Sequence, residues 1–183
     1  MNTDDFELRP GVANSKLWWP DRTGEPGWRR TRAAILERDD YTCVSCQHRA
    51  IKWMQVHHVL AGEDDDPENL SVLCVACHAI MHVGRSLQFG KVGIWETQVS
   101  QVDIVRLSRE GVGQGRSLAQ VNADFGLKQS RLKPSSIAWA NDLLKQIGAA
   151  PRAELPKPLC AVFVDFTQWQ LENASPRKVH PKA

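Results

Sequence analysis

From Trp28 to Arg38 the apolar positions recur at helical spacing. Ile35 and Leu36 turn inward and Arg29, Arg30 and Arg32 largely outward, so the stretch predicts a helix. Ile51 to Leu60, with Trp53 and Val56 as its apolar positions, predicts the first half of a β-ribbon. Leu70-Ser-Val-Leu73 leads on into a helix that carries His78 and His82 and stops near Gly84. Leu87 to Trp95, interrupted by Gly90 and Gly93, predicts a loop or a short strand. Val102 to Glu110 predicts a helix that the run Gly111 to Gly115 ends. Ser117 N-caps a second helix from Leu118 to Phe125, Gly126 turns the chain, and a further helix starts at Lys128. Ile137 to Ile147 predicts a helix after Pro134, and the β-rich run Leu159 to Phe166 a buried strand. These elements define an α+β chain whose second half is mainly helical.

The punctuation between them suggests four segments: an irregular arm over 1–27, a module over 28–86, a helical region over 87–150, and a linker, short strand and basic tail over 151–183. In the arm, Trp18 and Trp19 either pack on the core or stack on nucleic-acid bases. The linker is Pro151 to Pro158, and the tail Ser175 to Ala183 predicts no fold.

Composition, at 42% hydrophobic and 24% charged, is that of an ordinary globular protein. No apolar run approaches the roughly 20 residues of a membrane span, and Met1 to Asp5 lacks the basic start and apolar core of a signal peptide. A cytoplasmic protein without membrane contact is the expectation. Charge adds a qualification. The formal total is only +2, divided as −2 over 1–27, −1 over 28–86 and +5 over 87–183. If the protein grips a polyanion, the second half or a partner supplies much of the attraction.

The chemistry is concentrated between Cys43 and His82, which hold four of the five cysteines and five of the six histidines. Two C-x-x-C pairs, Cys43/Cys46 and Cys74/Cys77, are separated by 27 residues and predict a structural zinc site. Disulfides are disfavoured, because nothing suggests secretion. On a helix His78 and His82 share one face and can bind one ion. Cys77 and His78 point roughly 100° apart, so one metal does not easily take both. Two sites result, a closed four-cysteine zinc and an open imidazole site. His57 and His58 lie on a strand and face opposite sides, so that one reaches a metal while the other addresses a substrate. For the histidines the plainer alternative is packing or an accessory zinc. His48 reads as a polar loop residue, His180 as part of the tail, and the acidic loop Gly62 to Glu68 as a solvated turn in preference to a second metal site.

The order Cys-x-x-Cys, His-His, Asn-Leu, Cys-x-x-Cys-His, preceded by Arg38-Asp39-Asp40-Tyr41-Thr42-Cys43, resembles the zinc-ribbon branch of the HNH nucleases over about residues 28–86. The resemblance implies a ββα-metal core stapled by the four cysteines. It makes His58 the general base, makes His57, His78 and His82 ligands of a catalytic divalent ion (Mg²⁺, Mn²⁺, Ni²⁺ or Zn²⁺), and has Asn69 pin the loop between ribbon and helix. DNA is the substrate it implies, cut to 5′-phosphate and 3′-hydroxyl ends. Arg29, Arg30 and Arg32 are candidate phosphate contacts. Leu118 to Leu132 resembles a helix-turn-helix with Lys128, Gln129 and Arg131 opening a recognition helix, and an ordinary helical hairpin is the equal alternative.

The expectation is therefore a metal-dependent DNA endonuclease, acting alone or as a homodimer. Two other readings stand beside it. One is a non-catalytic zinc-ribbon subunit that binds DNA or assembles a complex. The other is a nuclease subunit active only with a protein partner in a larger defence or mobile-element complex.

Overall fold

The computed structural model describes residues 6–13, 24–59, 65–129, 152–155 and 157–165. They form helices and small antiparallel sheets, an α+β arrangement. One sheet pairs β1 (Gly11–Ala13) with β6 (Arg152–Glu154), joining the two ends of the described chain. A second pairs β2 (Gln55–His58) with β3 (Leu70–Leu73), placing His57 opposite Ser71 and His58 opposite Leu70. A third runs β5 (Lys128–Gln129), β4 (Val92–Glu96), β7 (Leu159–Phe163).

Helix α1 (Pro26–Arg38) starts on a proline, whose fixed φ suits the first turn, and buries Ile35 and Leu36 as expected. Its last residue ties it to the ribbon, since the Arg38 guanidinium donates to the Pro67 and Leu70 carbonyls at 2.6 and 2.8 Å. The ribbon is shorter than its sequence suggests. Trp53 sits at φ +63°, outside the extended region, so pairing begins only at Gln55 and leaves Ile51 and Trp53 half exposed. After β3 the chain enters α2 (Val75–Met81), kinks at His82 (φ −120°, ψ 45°) and continues as α3 (Val83–Gln88). The expected stop near Gly84 is not there.

Val92–Glu96 is the central strand of its sheet rather than a segment leaving the module. Alternation sorts its two faces. Val92, Ile94, Ala161 and Phe163 join the same core as the cysteines, Leu36, Leu70 and Ile80. Cys160 and Val162 face the other way, against Ile104 and Leu127. A Cβ on Gly93 would overlap the Trp95 ring, so glycine there lets the indole lie back along its own strand. Residues on both sides of the 86/87 boundary thus share one core, and the described part of the second half mixes strands with helices.

Helix α4 (Gln101–Gly113) is capped by Ser100, and α5 (Leu118–Asp124) by a capping box of Ser117 and Gln120. Gln101 closes the free edge of β7: its amide donates to the Ala161 carbonyl at 2.7 Å and accepts from the Ala161 N–H at 2.9 Å. The two helices approach closely where Gly111 meets Val121, whose methyl groups occupy the space a Cβ would take. No recognition helix starts at Lys128. Lys128 and Gln129 pair with Glu96 and Trp95 instead, because β4 offers an open edge at that point. Arg131, the helix expected over Ile137 to Ile147, Trp18, Trp19 and the tail from Ser175 lie outside the described residues. Among the described residues no helix is long and apolar enough to cross a membrane.

Candidate metal centre

Cys43 and Cys46 sit in the turn after α1, Cys74 is the N-cap of α2, and Cys77 lies in its first turn. All four are buried, unpaired by disulfides, and present their sulfurs within 4.8 Å of one another. Cys46 Sγ and Cys74 Sγ are 3.7 Å apart. A tetrahedron with metal–sulfur bonds of about 2.3 Å has edges of about 3.8 Å. Local chain geometry makes the second knuckle: the Cys77 N–H points at Cys74 Sγ, 3.5 Å away, as a capping donor would.

Electrostatics also favour a cation. Burial pushes the Cys43 and Cys77 thiols well above their ordinary range. Hydrogen bonds from Cys43, Cys74 and Cys77 hold Cys46 far below it. Burial works against ionising Cys74 as well, but hydrogen bonding with Cys43 and Cys77 brings it down. Without a cation the cluster supports only part of its negative charge, and a dication supplies the missing attraction. The four cysteines could therefore hold a structural metal such as zinc.

Arg109, on α4, was not foreseen as part of this site. Its Nη1 donates to Cys46 Sγ at 3.3 Å and its Nη2 to Cys74 Sγ at 3.1 Å. Burial lowers the affinity of its guanidinium for its proton, but the Cys74 and Cys46 sulfurs outweigh this and hold it above the ordinary arginine range. An arginine at helical spacing on a second-half helix carries no sequence signal for this role, since only the fold brings α4 over the knuckles.

Three imidazoles form a separate cluster. His57 from β2 and His78 and His82 from the α2–α3 segment place their nitrogens within 4.8 Å of one another. The His82 N–H bonds to the His78 carbonyl at 3.2 Å, so the two stand one turn apart on one helix face. His82 Nε2 and His57 Nδ1 are 3.3 Å apart. With metal–nitrogen bonds of about 2.1 Å, ligand edges run from about 3.0 Å (octahedral) to about 3.4 Å (tetrahedral). Three histidines leave coordination positions for other ligands, the arrangement of an open site.

His58 is on the opposite face of the ribbon from His57. It stacks on Trp28, with ring centroids 5.5 Å apart and planes 13° from parallel. Its Nε2 lies 3.0 Å from Asp65 Oδ1. Asp65, read as part of a solvated acidic turn in preference to a second metal site, engages the histidine next to the cluster. The loop that presents it is held by backbone bonds. Asn69 is buried, its N–H donates to the Asp66 carbonyl, and its carbonyl accepts from the Val59 N–H, each at 2.9 Å.

The remaining candidates are dispersed. Arg32 is turned to the Met54 carbonyl, 2.7 Å away, and so holds α1 to the ribbon. Arg29 and Arg30 are exposed on α1, and Lys128 lines an open depression with Glu96 and Phe125. His48, read as a polar loop residue, lies in the loop after the first knuckle and is buried there. Compared with known proteins, the chain matches no protein-family model and no curated protein.

Proposed function

We propose that this protein is a metal-dependent DNA endonuclease with a ββα-metal core of the HNH kind. The core would be β2, β3 and α2, stapled by a zinc on Cys43, Cys46, Cys74 and Cys77. The observation that carries the reading is the convergence of His57, His78 and His82 beside a fourth, differently held histidine. That cluster is a second, open ligand set beyond the one a zinc ribbon needs.

His57, His78 and His82 would hold one divalent ion. When bound, it supplies Lewis-acid polarisation of the scissile phosphate and charge for the leaving oxygen. His58 is the general base. Asp65 accepts the Nε2 proton, which fixes the tautomer that leaves Nδ1 free to take a proton from water. The same carboxylate then stabilises the imidazolium. The water oxygen forms a bond to phosphorus while the bond from phosphorus to the 3′ oxygen breaks, giving a 5′-phosphate and a 3′-hydroxyl. Stacking on Trp28 holds the imidazole plane, and Asn69 holds the loop from which Asp65 reaches it. Arg29 and Arg30, exposed on α1, would meet phosphates.

Incubating supercoiled plasmid with the purified protein and Mg²⁺, Mn²⁺ or Ni²⁺, beside EDTA and His58→Ala controls, tests this. The expected product is nicked or linear DNA, lost in both controls. Absence of product with every metal would sink the solitary-nuclease reading and leave a DNA-binding or assembly subunit, or a nuclease that needs a partner.

A further inference from the structure

We propose that Arg109 is a supporting residue of the four-cysteine metal site: it draws charge from Cys46 and Cys74 and makes the bound metal slow to leave. The inference rests on the cysteine cluster alone and holds whether or not the protein cleaves DNA.

The geometry is specific. One guanidinium fork reaches two sulfurs 3.7 Å apart, one from each knuckle, at 3.3 and 3.1 Å. The two nitrogens of a planar fork match such a pair of acceptors in a way a lysine ammonium does not. Four thiolates around a dication carry a net charge of −2, so a neighbouring cation stabilises the loaded site. Buried cations persist where they are paired. Sulfurs that accept N–H bonds are less electron-rich, so oxidants attack them less readily, and the paired positive charge offsets the −2 of the loaded site, so a competing chelator captures the metal less readily. Groups that support metal ligands in this way typically contribute about 10- to 100-fold in metal affinity.

The same helix supplies its own control. Arg106, one turn earlier, points to the same knuckle but reaches the Ser45 and Cys46 carbonyls, both at 3.4 Å. It donates to backbone and to no sulfur, and its charge is paired with Asp103 at 3.7 Å, so its loss should loosen packing without changing the sulfur electronics.

The test uses the full chain loaded with zinc or with Co²⁺. Arg109→Gln should transfer zinc to a chromogenic chelator at least about tenfold faster than the unsubstituted protein. Its sulfur-to-cobalt charge-transfer bands should move to lower energy, because the sulfurs become better donors. Arg109→Lys keeps the charge but serves one sulfur at a time, and should fall between the two. Arg106→Gln should leave the bands in place. Unchanged release and unchanged bands in Arg109→Gln would overturn the proposal, as would an equal band shift in Arg106→Gln. If Arg109→Gln does not fold, Arg109→Lys decides: wild-type bands and release rate there would overturn it.

Discussion

His57 and His58 are adjacent in β2 and serve opposite sides of it. His57 is only 3% exposed and lies 3.3 Å from His82, while His58 is stacked on Trp28 and lies 3.0 Å from Asp65. Strand alternation produces this division without any special device. It also separates the effects of substituting each histidine.

His58→Ala should abolish cleavage of supercoiled plasmid while zinc content, measured by atomic absorption, stays unchanged. His82→Ala should instead weaken binding of the activating ion, so activity returns at higher metal concentration. Equal activity of His58→Ala and the unsubstituted protein would remove His58 from the base role.

Asp65→Asn tests how His58, the proposed base, is held. The amide cannot accept the Nε2 proton as a carboxylate does, so the useful tautomer and the imidazolium both lose support. A fall in kcat of at least about tenfold, with DNA affinity unchanged, is expected. An unaltered kcat in a gel-based cleavage assay would make Asp65 a loop residue only.

Cys43→Ser should lose the structural metal and destabilise the fold by several kcal/mol, because metal affinity at such sites is folding free energy. Cys43 belongs to the same core as Ile80 and Phe163, so the loss should propagate beyond the knuckle. Thermal unfolding followed by circular dichroism, with and without added zinc, measures it. An unchanged midpoint and full zinc stoichiometry would contradict the assignment.

Gly111→Ala should cost about 1–3 kcal/mol, since the new methyl group overlaps Val121, which is fully buried. Combining it with Val121→Ala should recover part of that loss. Urea unfolding of the two single variants and the double variant gives the coupling. Additive losses would show that the helices do not meet there.

Cys160 provides a pH test. Burial raises its thiol to about 11, partly opposed by a hydrogen bond with the Trp95 backbone. The folded value is above the ordinary one, so the native state holds this proton more tightly than the unfolded chain. Its contribution is fully present below about pH 8.5 and is lost as pH rises toward 11. Chemical denaturation between pH 8 and 11 should show the decline in the unsubstituted protein and a shallower one in Cys160→Ala. Alkylation of Cys160 near neutral pH should be slow until the protein is unfolded.

Features that depend on short-range spacing are legible in the chain alone. Two C-x-x-C pairs define two knuckles wherever they are placed, His78 and His82 share a face because a helix repeats every 3.6 residues, and His57 and His58 diverge because a strand alternates. Ile35 and Leu36 on α1, the Ser117 cap of α5 and the buried strand from Leu159 were legible for the same reason. Features that depend on distant partners follow from packing. Val92–Glu96 became a central strand because Leu159–Phe163 arrives to pair with it, and Lys128–Gln129 became a strand because the other edge of β4 was open. Arg32 turned to the Met54 carbonyl, Asp65 to His58, and Arg109 to Cys46 and Cys74. Local spacing sets a side chain's direction from its own backbone. Which buried charge or open edge lies in that direction is set by how the elements pack.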